Sequence, residues 1–495
     1  MNEIKDYLKE ERNQPWRVEL RKSIKSKDRI ERLRVHMPET NPTIRNKNSD
    51  EVNKGLDPQQ AVFEAGRCLD CANPSCIDGC PVGINIPKFI KQIEAGDFNG
   101  AAATLKETNS LPAVCGRVCP QEKQCEATCF YSISLKKDPI AIGHLERFAA
   151  DYERNSGNVS VPVVGKSNGI KIAIIGSGPA GLACAGDMAK LGYHVTVFEA
   201  LHELGGVLKY GIPEFRLPNK IVDMEIDILK KMGVNFKKNF IIGKTLTFDN
   251  LREQGFKAFF VGSGAGNPTF MNIPGENYNN IFSSNEYLTR VNLMNASNKE
   301  YDTPVISGKN VAVIGGGNTA MDSVRTAKRL GADRAIIIYR RSMEEMPARV
   351  EEVKHALEEE IEFMNLHNPV EYFADEKGRV NKIRIQKMKL GEPDASGRRR
   401  PIPIENSEFN IEIDTVILGV GVSPNPLIPG VMPDLKISKW GTIEVNPETM
   451  QSSVEDIFAG GDIVRGGATV ILALGDGRLA AAGMHKYISE KVKVN

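Results

Sequence analysis

Two segments of this chain share one design, and that repetition limits the folds open to it. Residues 171–199 and 310–341 each begin with a short apolar, β-branched run, pass through a glycine-rich turn into a helical stretch, and end in a second apolar run. This order is that of a βαβ unit, in which a helix connects two parallel strands. The sequence therefore predicts an α/β fold with two Rossmann-like dinucleotide-binding domains, one for each unit.

The glycines of the first unit indicate how it would hold a nucleotide. Gly176, Gly178 and Gly181 follow the first apolar run, and Glu199 ends the second. Glycine suits the tight turn, the close approach of backbone to a pyrophosphate, and the packing of helix on strand. The helix N-terminus adds free N–H groups and a positive dipole end. A carboxylate at Glu199 accepts hydrogen bonds from a ribose, so this site fits NAD or the adenosine half of FAD.

The second unit carries the opposite charge at the equivalent position. Its turn contains Gly315, Gly317 and Ala320, and its second strand ends in Arg340 and Arg341 in place of an acid. Two guanidinium groups at that point attract a ribose 2′-phosphate. The second unit therefore predicts a site that prefers NADPH over NADH.

Two further glycine-rich segments indicate which unit holds a flavin. Gly205 and Gly206 follow Glu199 closely, and they allow the backbone to lie against a large ligand. Near the end of the sequence, Asp462 follows an apolar run and two glycines, and Thr469 stands at the start of a helical stretch. We expect Asp462 to bind the ribityl chain of FAD and that helix to face the flavin ring. An ordinary turn aspartate is the alternative for Asp462.

Eight of the nine cysteines are crowded between residues 68 and 129. They form two runs, Cys68-x2-Cys71-x4-Cys76-x3-Cys80-Pro81 and Cys115-x3-Cys119-Pro120-x4-Cys125-x3-Cys129. The first run resembles that of bacterial ferredoxins, in which the fourth cysteine, before proline, ligates the other cluster. Two interleaved [4Fe-4S] clusters follow from this arrangement. Tetrahedral zinc is the alternative, and disulfides are disfavoured in a chain that we expect to stay under reducing conditions.

Length and charge set further limits on the class of protein. A chain of 495 residues is too long for one hydrophobic core and fits about three domains. Lys plus Arg total 64 and Asp plus Glu total 63, so no overall field favours nucleic acid or an anionic membrane. The charged start of the chain and its short apolar runs favour a cytoplasmic protein without a membrane span.

Composition also divides the chain before the first nucleotide unit. Residues 1–55 are polar and charged, so we expect a solvated arm or surface helix, with a docking arm for a partner subunit as the alternative. Residues 56–155 combine the cysteines with stretches of helical periodicity and predict a small, mainly α-helical iron-sulfur domain. Residues 155–169 are rich in Ser, Gly and Asn and predict a linker.

Four segments of the chain resemble one known family. GSGPAGL, ELGGVLKYGIPEFRLP, GGGNTAMD and AGGD together resemble the glutamate synthase small (beta) subunit family, which includes the large subunit of the NADH-dependent ferredoxin:NADP oxidoreductase and the N-terminal half of dihydropyrimidine dehydrogenase. The resemblance extends from about residue 56 to the end of the sequence. It implies that residues 169–300 and 416–495 form an FAD domain, into which an NADPH domain of residues 301–415 is inserted, and that the chain re-enters the FAD domain at 415–425.

The same resemblance implies individual ligand residues. The implied FAD contacts are Gly176, Gly178, Gly181, Glu199, Gly206, Asp462 and Thr469. The implied NADPH contacts are Gly315, Gly317, Asn318, Thr319, Arg340 and Arg341. The implied ligands of one [4Fe-4S] cluster are Cys68, Cys71, Cys76 and Cys129, and those of the other are Cys80, Cys119, Cys125 and Glu146. Cys115 would then bind no iron, although Cys115 in place of Glu146 stays open.

These features together predict an electron-transfer enzyme. NADPH gives two electrons as hydride, whereas a [4Fe-4S] cluster accepts one, and FAD mediates between them. The resemblance implies an NADPH-dependent oxidoreductase of glutamate synthase small-subunit type, whose partner is a large subunit that makes glutamate. The alternative is the large subunit of the bifurcating transhydrogenase, the NADH-dependent ferredoxin:NADP oxidoreductase, with its small subunit as partner. The alternative to an enzyme is a non-catalytic adaptor protein that zinc stabilises.

Two kinds of catalytic group are not expected. Hydride and electron transfer need no catalytic triad or acid-base pair, so no side chain is assigned a catalytic role. Enzymes that reduce disulfides keep a cysteine pair beside the flavin, whereas only Cys184 lies in either nucleotide unit. An activity of the thioredoxin reductase type is therefore disfavoured.

Overall fold

The computed structural model describes residues 2–298, 300–394 and 397–491, with side chains from residue 7 onward. Its strands are β1 Lys171–Ile175, β2 His194–Phe198, β3 Asn235–Lys237, β4 Phe256–Val261, β5 Asn267–Pro268, β6 Ile281–Ser283, β7 Asn310–Ile314, β8 Arg334–Tyr339, β9 Glu362–Asn365, β10 His367–Ala374, β11 Val380–Pro393, β12 Arg399–Pro403, β13 Phe409–Glu412, β14 Thr415–Leu418, β15 Val422–Ser423 and β16 Ile457–Ala459.

The helices are more numerous than the strands. They are α1 Asn2–Arg12, α2 Pro15–Ser23, α3 Ser26–Glu31, α4 Pro42–Arg45, α5 Pro58–Ala65, α6 Ser75–Asp78, α7 Ile86–Glu94, α8 Phe98–Thr108, α9 Pro112–Val118, α10 Ile142–Asn155, α11 Pro179–Lys190, α12 Val207–Tyr210, α13 Asn219–Lys231, α14 Phe248–Glu253, α15 Ser284–Leu288, α16 Asn318–Arg329, α17 Val350–Glu358, α18 Leu427–Val431, α19 Asp462–Arg465 and α20 Val470–Lys491. Within the described ranges, no helix combines the length and apolar character needed to cross a bilayer.

Two five-stranded parallel sheets form the framework of the nucleotide units. The strand order is β16-β4-β1-β2-β3 in the first and β6-β14-β7-β8-β9 in the second. All pairings in both sheets are parallel. The carboxyl ends of the five strands therefore share one edge, and loops from distant parts of the chain meet there. The predicted α/β class with two Rossmann-like units, preceded by a helical module, is confirmed.

The second sheet draws on a longer stretch of chain than the predicted inserted domain. Strand β6 precedes the expected boundary at 301, and β14 lies where the chain was expected to re-enter the FAD domain. Val416 in β14 pairs both with Ile281 in β6 and with Ala312 in β7, so the predicted limits would cut through a hydrogen-bonded sheet. The chain passes from the first unit to the second through β5 and returns through β15, and these two short strands pair with each other in antiparallel fashion. We therefore propose limits near residues 267 and 423.

An antiparallel sheet that sequence analysis did not predict covers part of the second unit. Strand β11 pairs with β10, β12 and β13. Tyr372 and Ile385 from this sheet share a buried apolar cluster with Ile336 and Ile338 of β8. The far end of β11 and strand β12 form a hairpin that reaches the end of β8.

The cysteine module is helical, as predicted, and shares its core with the first nucleotide unit. Val114 in α9 belongs to the same buried apolar cluster as Leu182 in α11. Arg478 in α20 strengthens this junction, because its guanidinium donates to the carbonyl oxygens of Val82 (2.6 Å) and Thr108 (2.5 Å). The module and the first unit therefore pack as one body.

The N-terminal extension is not the solvated arm that its composition predicts. Helices α1 to α3 lie on the cysteine module, and the side chains of Arg17 and Arg29 are buried. Arg17 and Arg21 both pair with the buried carboxylate of Asp70, in the first cysteine run. The charged composition of this segment wrongly predicted solvent exposure, because an arginine can be buried when a carboxylate compensates its charge.

Arg45 anchors the end of this extension to the second nucleotide unit. Its side chain is 1% exposed and pairs with Glu39, Glu358 and Glu359 at 3.1, 2.6 and 2.9 Å. We expect Arg45→Met to lower the free energy of unfolding by about 3 kcal/mol, because it leaves buried carboxylates with less compensation. Thermal unfolding measures the loss, and limited proteolysis within residues 35–55 measures the release of the extension.

A matched control is Arg334→Met. Arg334 pairs with Glu362 at 2.7 Å, but both side chains are well exposed. An exposed pair contributes about 1 kcal/mol or less, so this variant should melt close to the wild type. If Arg45→Met and Arg334→Met lower the free energy of unfolding by the same amount, Arg45 does not anchor the extension.

Candidate cofactor sites

The turn after β1 has the shape of a phosphate-binding loop. Gly176 has a φ of +101°, and a Cβ added there would lie 2.5 Å from the carbonyl oxygen of Gly262. A Cβ at Gly181 would lie 2.0 Å from the carbonyl oxygen of Gly176, so α11 approaches the turn only with glycine at this position. Among the described residues, and apart from its immediate chain neighbours and the backbone of its own helix, no heavy atom lies within 4 Å of a Cβ added to Gly178, at the N-terminus of α11. This open space beside free N–H groups fits a pyrophosphate.

Glu199 and the loop that follows it lie against this turn. The buried Glu199 carboxylate accepts hydrogen bonds from the N–H and hydroxyl of Ser177 (2.9 and 2.5 Å) and from the N–H of Leu201 (2.8 Å). Gly206 has a φ of +55°, and a Cβ on it would lie 3.0 Å from Cα of Gly178. The structure therefore brings together the predicted glycines and the predicted acid. Ser177, which sequence analysis missed, orients that acid.

The loop after β16 reaches the same edge of the first sheet. Asp462 is half-buried, its pKa is raised by burial, and its Oδ1 accepts from the N–H of Ala468 (3.0 Å). Thr469 directly precedes α20, and its hydroxyl accepts from the N–H of Leu472 (3.4 Å). Both predicted residues thus lie where β16 leads into α20.

Asp476 shapes this loop and was missed by sequence analysis. Its buried carboxylate accepts from the N–H of Gly461 (3.0 Å) and from the guanidinium of Arg465 (2.7 and 2.6 Å). A lone acid within the apolar start of α20 was the available signal, because a buried charge needs a specific partner.

The turn after β7 repeats the geometry of the first. Gly315 has a φ of +135°, and a Cβ added there would lie 2.3 Å from the carbonyl oxygen of Gly419. The nearest atom to a Cβ on Gly317 is 4.0 Å away, so this side of the turn is open. Asn318 and Thr319 start α16 directly after it, with the side chain of Thr319 exposed. This second cradle also fits a pyrophosphate.

The two predicted arginines differ in their surroundings. Arg340 is exposed at the end of β8. Arg341 is buried, donates to the carbonyl oxygen of Arg399 (2.8 Å) and pairs with Asp394 (2.6 Å). Arg341 therefore holds the β11–β12 hairpin beside the end of β8, whereas Arg340 is the exposed one of the two predicted arginines.

Four cysteines line one small apolar cavity in the helical module. Burial raises the pKa of Cys71 and Cys76, and the thiol of Cys129 adds to both shifts. Cys68 also contributes to the shift at Cys76, so these thiols face one another. The predicted ligand set of one cluster is thus brought together, and the cavity is lined by Cys68, Cys71, Cys76, Cys129 and apolar side chains.

The other predicted ligand set also converges. Burial raises the pKa of Cys80 to about 11, burial also raises the pKa of Cys125 well above its usual value, and the Glu146 carboxylate adds to both shifts. The pKa of Cys119 is also raised. Its hydrogen bond with Cys115 is the largest cause, burial is the next, and the Glu146 carboxylate adds to the shift. The structure therefore places Glu146 close to Cys80, Cys119 and Cys125, with Cys115 at one side.

Glu146 and Cys115 meet at Asn109, which sequence analysis missed. Asn109 Nδ2 donates to Glu146 Oε1 (2.9 Å), and the thiol of Cys115 donates to Asn109 Oδ1 (3.7 Å). Burial raises the pKa of Glu146 to about 8, so its anionic form needs a compensating cation. An iron ion of a cluster would provide that charge.

The spacing of the sulfurs distinguishes between the two metal centres that the sequence left open. A tetrahedral zinc site, with Zn–S bonds of about 2.3 Å, needs its sulfurs less than about 4 Å apart. In the part of the chain that the structure describes, no three cysteine sulfurs lie within 4.8 Å of one another. The wider arrangement fits a [4Fe-4S] cluster, whose iron and sulfide atoms stand between the thiolates.

Comparisons with known proteins agree with this geometry. The profile of dihydropyrimidine dehydrogenase domain II, 4Fe-4S cluster, matches residues 45–158, and that of pyridine nucleotide-disulphide oxidoreductases matches residues 170–477. The glutamate synthase [NADPH] small chain of Azospirillum brasilense is 36% identical over 464 residues, which are 92% of this chain and 95% of that protein.

Two further similarities are more partial. The beta subunit of the NADP(+)-dependent formate dehydrogenase of Moorella thermoacetica is 38% identical over 439 residues, which are 84% of this chain and 60% of that protein. The solved structure of Mycobacterium tuberculosis FprA in complex with NADPH aligns with 65% of this chain and 85% of its own, with a TM-score of 0.55 and 18% identity. The latter likeness concerns the fold alone.

Proposed function

Because the chain belongs to the glutamate synthase small-chain family, we propose that it is the NADPH-oxidising subunit of a glutamate synthase. It is an NADPH-dependent oxidoreductase, and its cofactors are FAD, NADPH and two [4Fe-4S] clusters. The finer proposal is that its electrons pass to a large subunit that makes glutamate. The A. brasilense small chain supports it, since the match covers nearly all of both proteins, whereas the M. thermoacetica relative extends well beyond its match.

One observation supports the proposed electron path: helix α20 extends from the loop that we propose as part of the flavin site to the cysteine module. The helix starts directly after Thr469, at the edge where the first unit would hold FAD. A Cβ added to Gly475, in its second turn, would lie 3.0 Å from the carbonyl oxygen of Pro81, the neighbour of Cys80. Cys80 would therefore help to hold the cluster that lies nearer the proposed flavin site, and α20 would fix the position of that cluster relative to it.

The other cluster would then stand nearer the partner. Its cavity lies next to the part of the module that helices α1 and α2 cover, because Asp70 of the first cysteine run contacts Arg12, Arg17 and Arg21. Phe130 and Ile133, next to Cys129 in the chain, are 39% and 48% exposed. Exposed apolar side chains beside an electron-transfer centre suit a docking surface for the electron-accepting subunit.

We propose that the side chains of this protein bind and position its cofactors, and that none of them forms a covalent intermediate with the substrate. When bound, FAD supplies the chemistry that accepts hydride and releases electrons one at a time. The cradles at Gly178 and Gly317 would hold the two pyrophosphates, and Arg340 the 2′-phosphate. Burial of Cys68, Cys119, Cys125 and Cys129 would limit the access of water to the clusters, whereas Cys71, Cys76 and Cys80 are only partly buried. We also propose the cytoplasm as its compartment, since reducing conditions keep ligating thiols available.

Anaerobic titration tests this proposal in two stages. Adding NADPH to the purified protein should bleach the flavin absorbance and produce the paramagnetic signal of reduced clusters. Adding the large subunit with glutamine and 2-oxoglutarate should then give NADPH-dependent glutamate. An unbleached flavin overturns the oxidoreductase function, whereas bleaching without glutamate formation overturns only the partner.

Arg340→Ser should raise the KM for NADPH without changing that for NADH. A hydrogen bond to a charged group contributes about 1.5–3 kcal/mol, so the expected increase is roughly 10- to 100-fold. Steady-state rates of flavin reduction with each nucleotide measure it. An equal increase in KM for NADPH and for NADH would show that Arg340 does not recognise the 2′-phosphate.

A further inference from the structure

The segment 346–349, which we name the bridging segment, lies between the second dinucleotide turn and the second cysteine run. It contacts the nucleotide turn through two backbone donors. The N–H of Ala348 donates to the carbonyl oxygen of Gly316 (3.2 Å), and the N–H of Arg349 donates to Oδ1 of Asn318 (2.9 Å). Pro347 supplies the nearest atom, at 4.0 Å, to a Cβ added at Gly317. The bridging segment therefore forms one wall of the pyrophosphate cradle.

The other side of the segment contacts the loop that carries two proposed cluster ligands, Cys119 and Cys125. The guanidinium of Arg349 donates to the carbonyl oxygen of Arg117 and to Oε1 of Gln121, both at 2.9 Å. Lys123 donates to the carbonyl oxygen of Pro347 (3.2 Å). We name residues 117–126 the cluster loop.

Gln121 extends this contact into the module. Its Nε2 donates to the carbonyl oxygen of Cys115 (3.4 Å). A Cβ added to Gly143 in α10 would lie 2.2 Å from the same nitrogen, so the amide packs closely on the helix that carries Glu146. Three consecutive hydrogen bonds thus lead from Asn318 through Arg349 and Gln121 to the second cysteine run.

The chemistry of Arg349 suits it to transmit a displacement. Its side chain is 5% exposed, and Glu351 (3.1 Å) and Glu122 (3.7 Å) compensate its charge. The planar guanidinium holds two acceptors in fixed directions, which the ammonium of a lysine cannot do. A displacement of Asn318 by a nucleotide in the turn would strain its hydrogen bond to the Arg349 N–H, and the buried hydrogen bond from Arg349 to Gln121 connects that strain to the cluster loop.

We propose that Arg349 is a positioning residue that couples occupancy of the NADPH site to the conformation of the cluster loop. The inference rests on the proposed function, which places a nucleotide at one end of this path and a cluster at the other. Coupling between sites is reciprocal, so reduction of the cluster would in turn change the affinity for the nucleotide.

Hydrogen exchange of the cluster loop, with and without saturating NADP⁺, tests this coupling in the intact protein. In the wild type, NADP⁺ should slow exchange in residues 117–126 by about fivefold or more, the lower end of ordinary coupling between sites. In Arg349→Met the slowing should fall below about twofold. Arg334→Met, which removes an exposed ion pair in the same domain, should keep the wild-type response.

A purely structural role would change exchange in the loop equally with and without NADP⁺, so the difference between the two states is the decisive quantity. Arg349→Lys keeps the positive charge, and it provides the same test if Arg349→Met does not fold. It should bind NADP⁺, as followed by calorimetry, yet lose the NADP⁺-dependent slowing and the NADP⁺-dependent shift in the paramagnetic signal of the dithionite-reduced cluster.

The outcomes separate this inference from the proposed function. If the wild type binds NADP⁺ and the cluster loop does not respond, or if both Arg349 variants respond like the wild type, the inference is overturned and the proposed function stands. If the wild type does not bind NADP⁺, the NADPH site and the inference are overturned together.

Discussion

Gly181→Ala is expected to yield a protein that binds no FAD. The added Cβ would lie 2.0 Å from the carbonyl oxygen of Gly176 and 3.3 Å from Cγ2 of Ile174. Because a backbone oxygen cannot rotate away, helix α11 must shift from the strand, at a cost of about 1–3 kcal/mol or more. That shift carries the N–H groups at the start of the helix away from the pyrophosphate. The purified variant should lack flavin absorbance and melt at a lower temperature than the wild type.

Gly178→Ala is the matched variant. In the described part of the chain, its added Cβ has no heavy atom within 4 Å other than those of its chain neighbours and its own helix backbone. Its φ of −69° suits any residue, so we expect a normal melting temperature. The methyl group instead enters the space that a pyrophosphate needs, and FAD affinity should fall by about tenfold or more. Titration of the apoprotein with FAD measures it. Wild-type affinity in both variants would show that FAD binds elsewhere.

Glu146→Ala is expected to damage the second cluster, whereas Cys115→Ala leaves it intact. The Glu146 carboxylate contributes to the raised pKa of all three of Cys80, Cys119 and Cys125. Burial raises the pKa of Glu146 itself to about 8, so a bound metal ion would stabilise its anionic form. The thiol of Cys115 is instead directed to Asn109 and Cys119. Loss of a ligand leaves one iron ion open to water, so Glu146→Ala should lose iron, up to about half of the total in a protein with two clusters.

Iron and sulfide analysis, together with the paramagnetic spectrum of the reduced protein, measure this difference. Glu146→Cys serves as the rescue variant: it should retain its iron and shift the cluster potential, since thiolate is a softer ligand than carboxylate. Full iron in Glu146→Ala and loss in Cys115→Ala would reverse the assignment.

The parts of the fold that sequence analysis anticipated are those with local signals. The βαβ units were evident because apolar runs, glycines and helical periodicity follow one another within about 30 residues. The cysteine module was expected to be mainly helical from its periodicity, and its helices include Ile86–Glu94, Phe98–Thr108 and Ile142–Asn155. Periodicity decides such elements because only neighbours along the chain are needed to recognise them.

The parts that were missed depend on distant residues. The antiparallel sheet over the second unit, the true extent of its parallel sheet and the packing of the N-terminal extension all come from pairings between remote segments. Val416 gives no sign in its own neighbourhood that it pairs with Ile281. Likewise, nothing near Arg17 indicates that its charge is buried against Asp70.

The sequence alone determined the two βαβ units, the acidic and basic strand ends on which the proposed choice of ligands rests, and a cysteine spacing suited to iron-sulfur clusters. These follow from short motifs, in which backbone geometry and ligand chemistry depend on a few adjacent residues. Only the tertiary structure decided that Arg340 rather than Arg341 is exposed, and that Arg349 meets Gln121 from 228 positions away. Contacts of that kind arise from how the domains pack, and a buried ion pair or amide contact leaves no periodic trace in the chain.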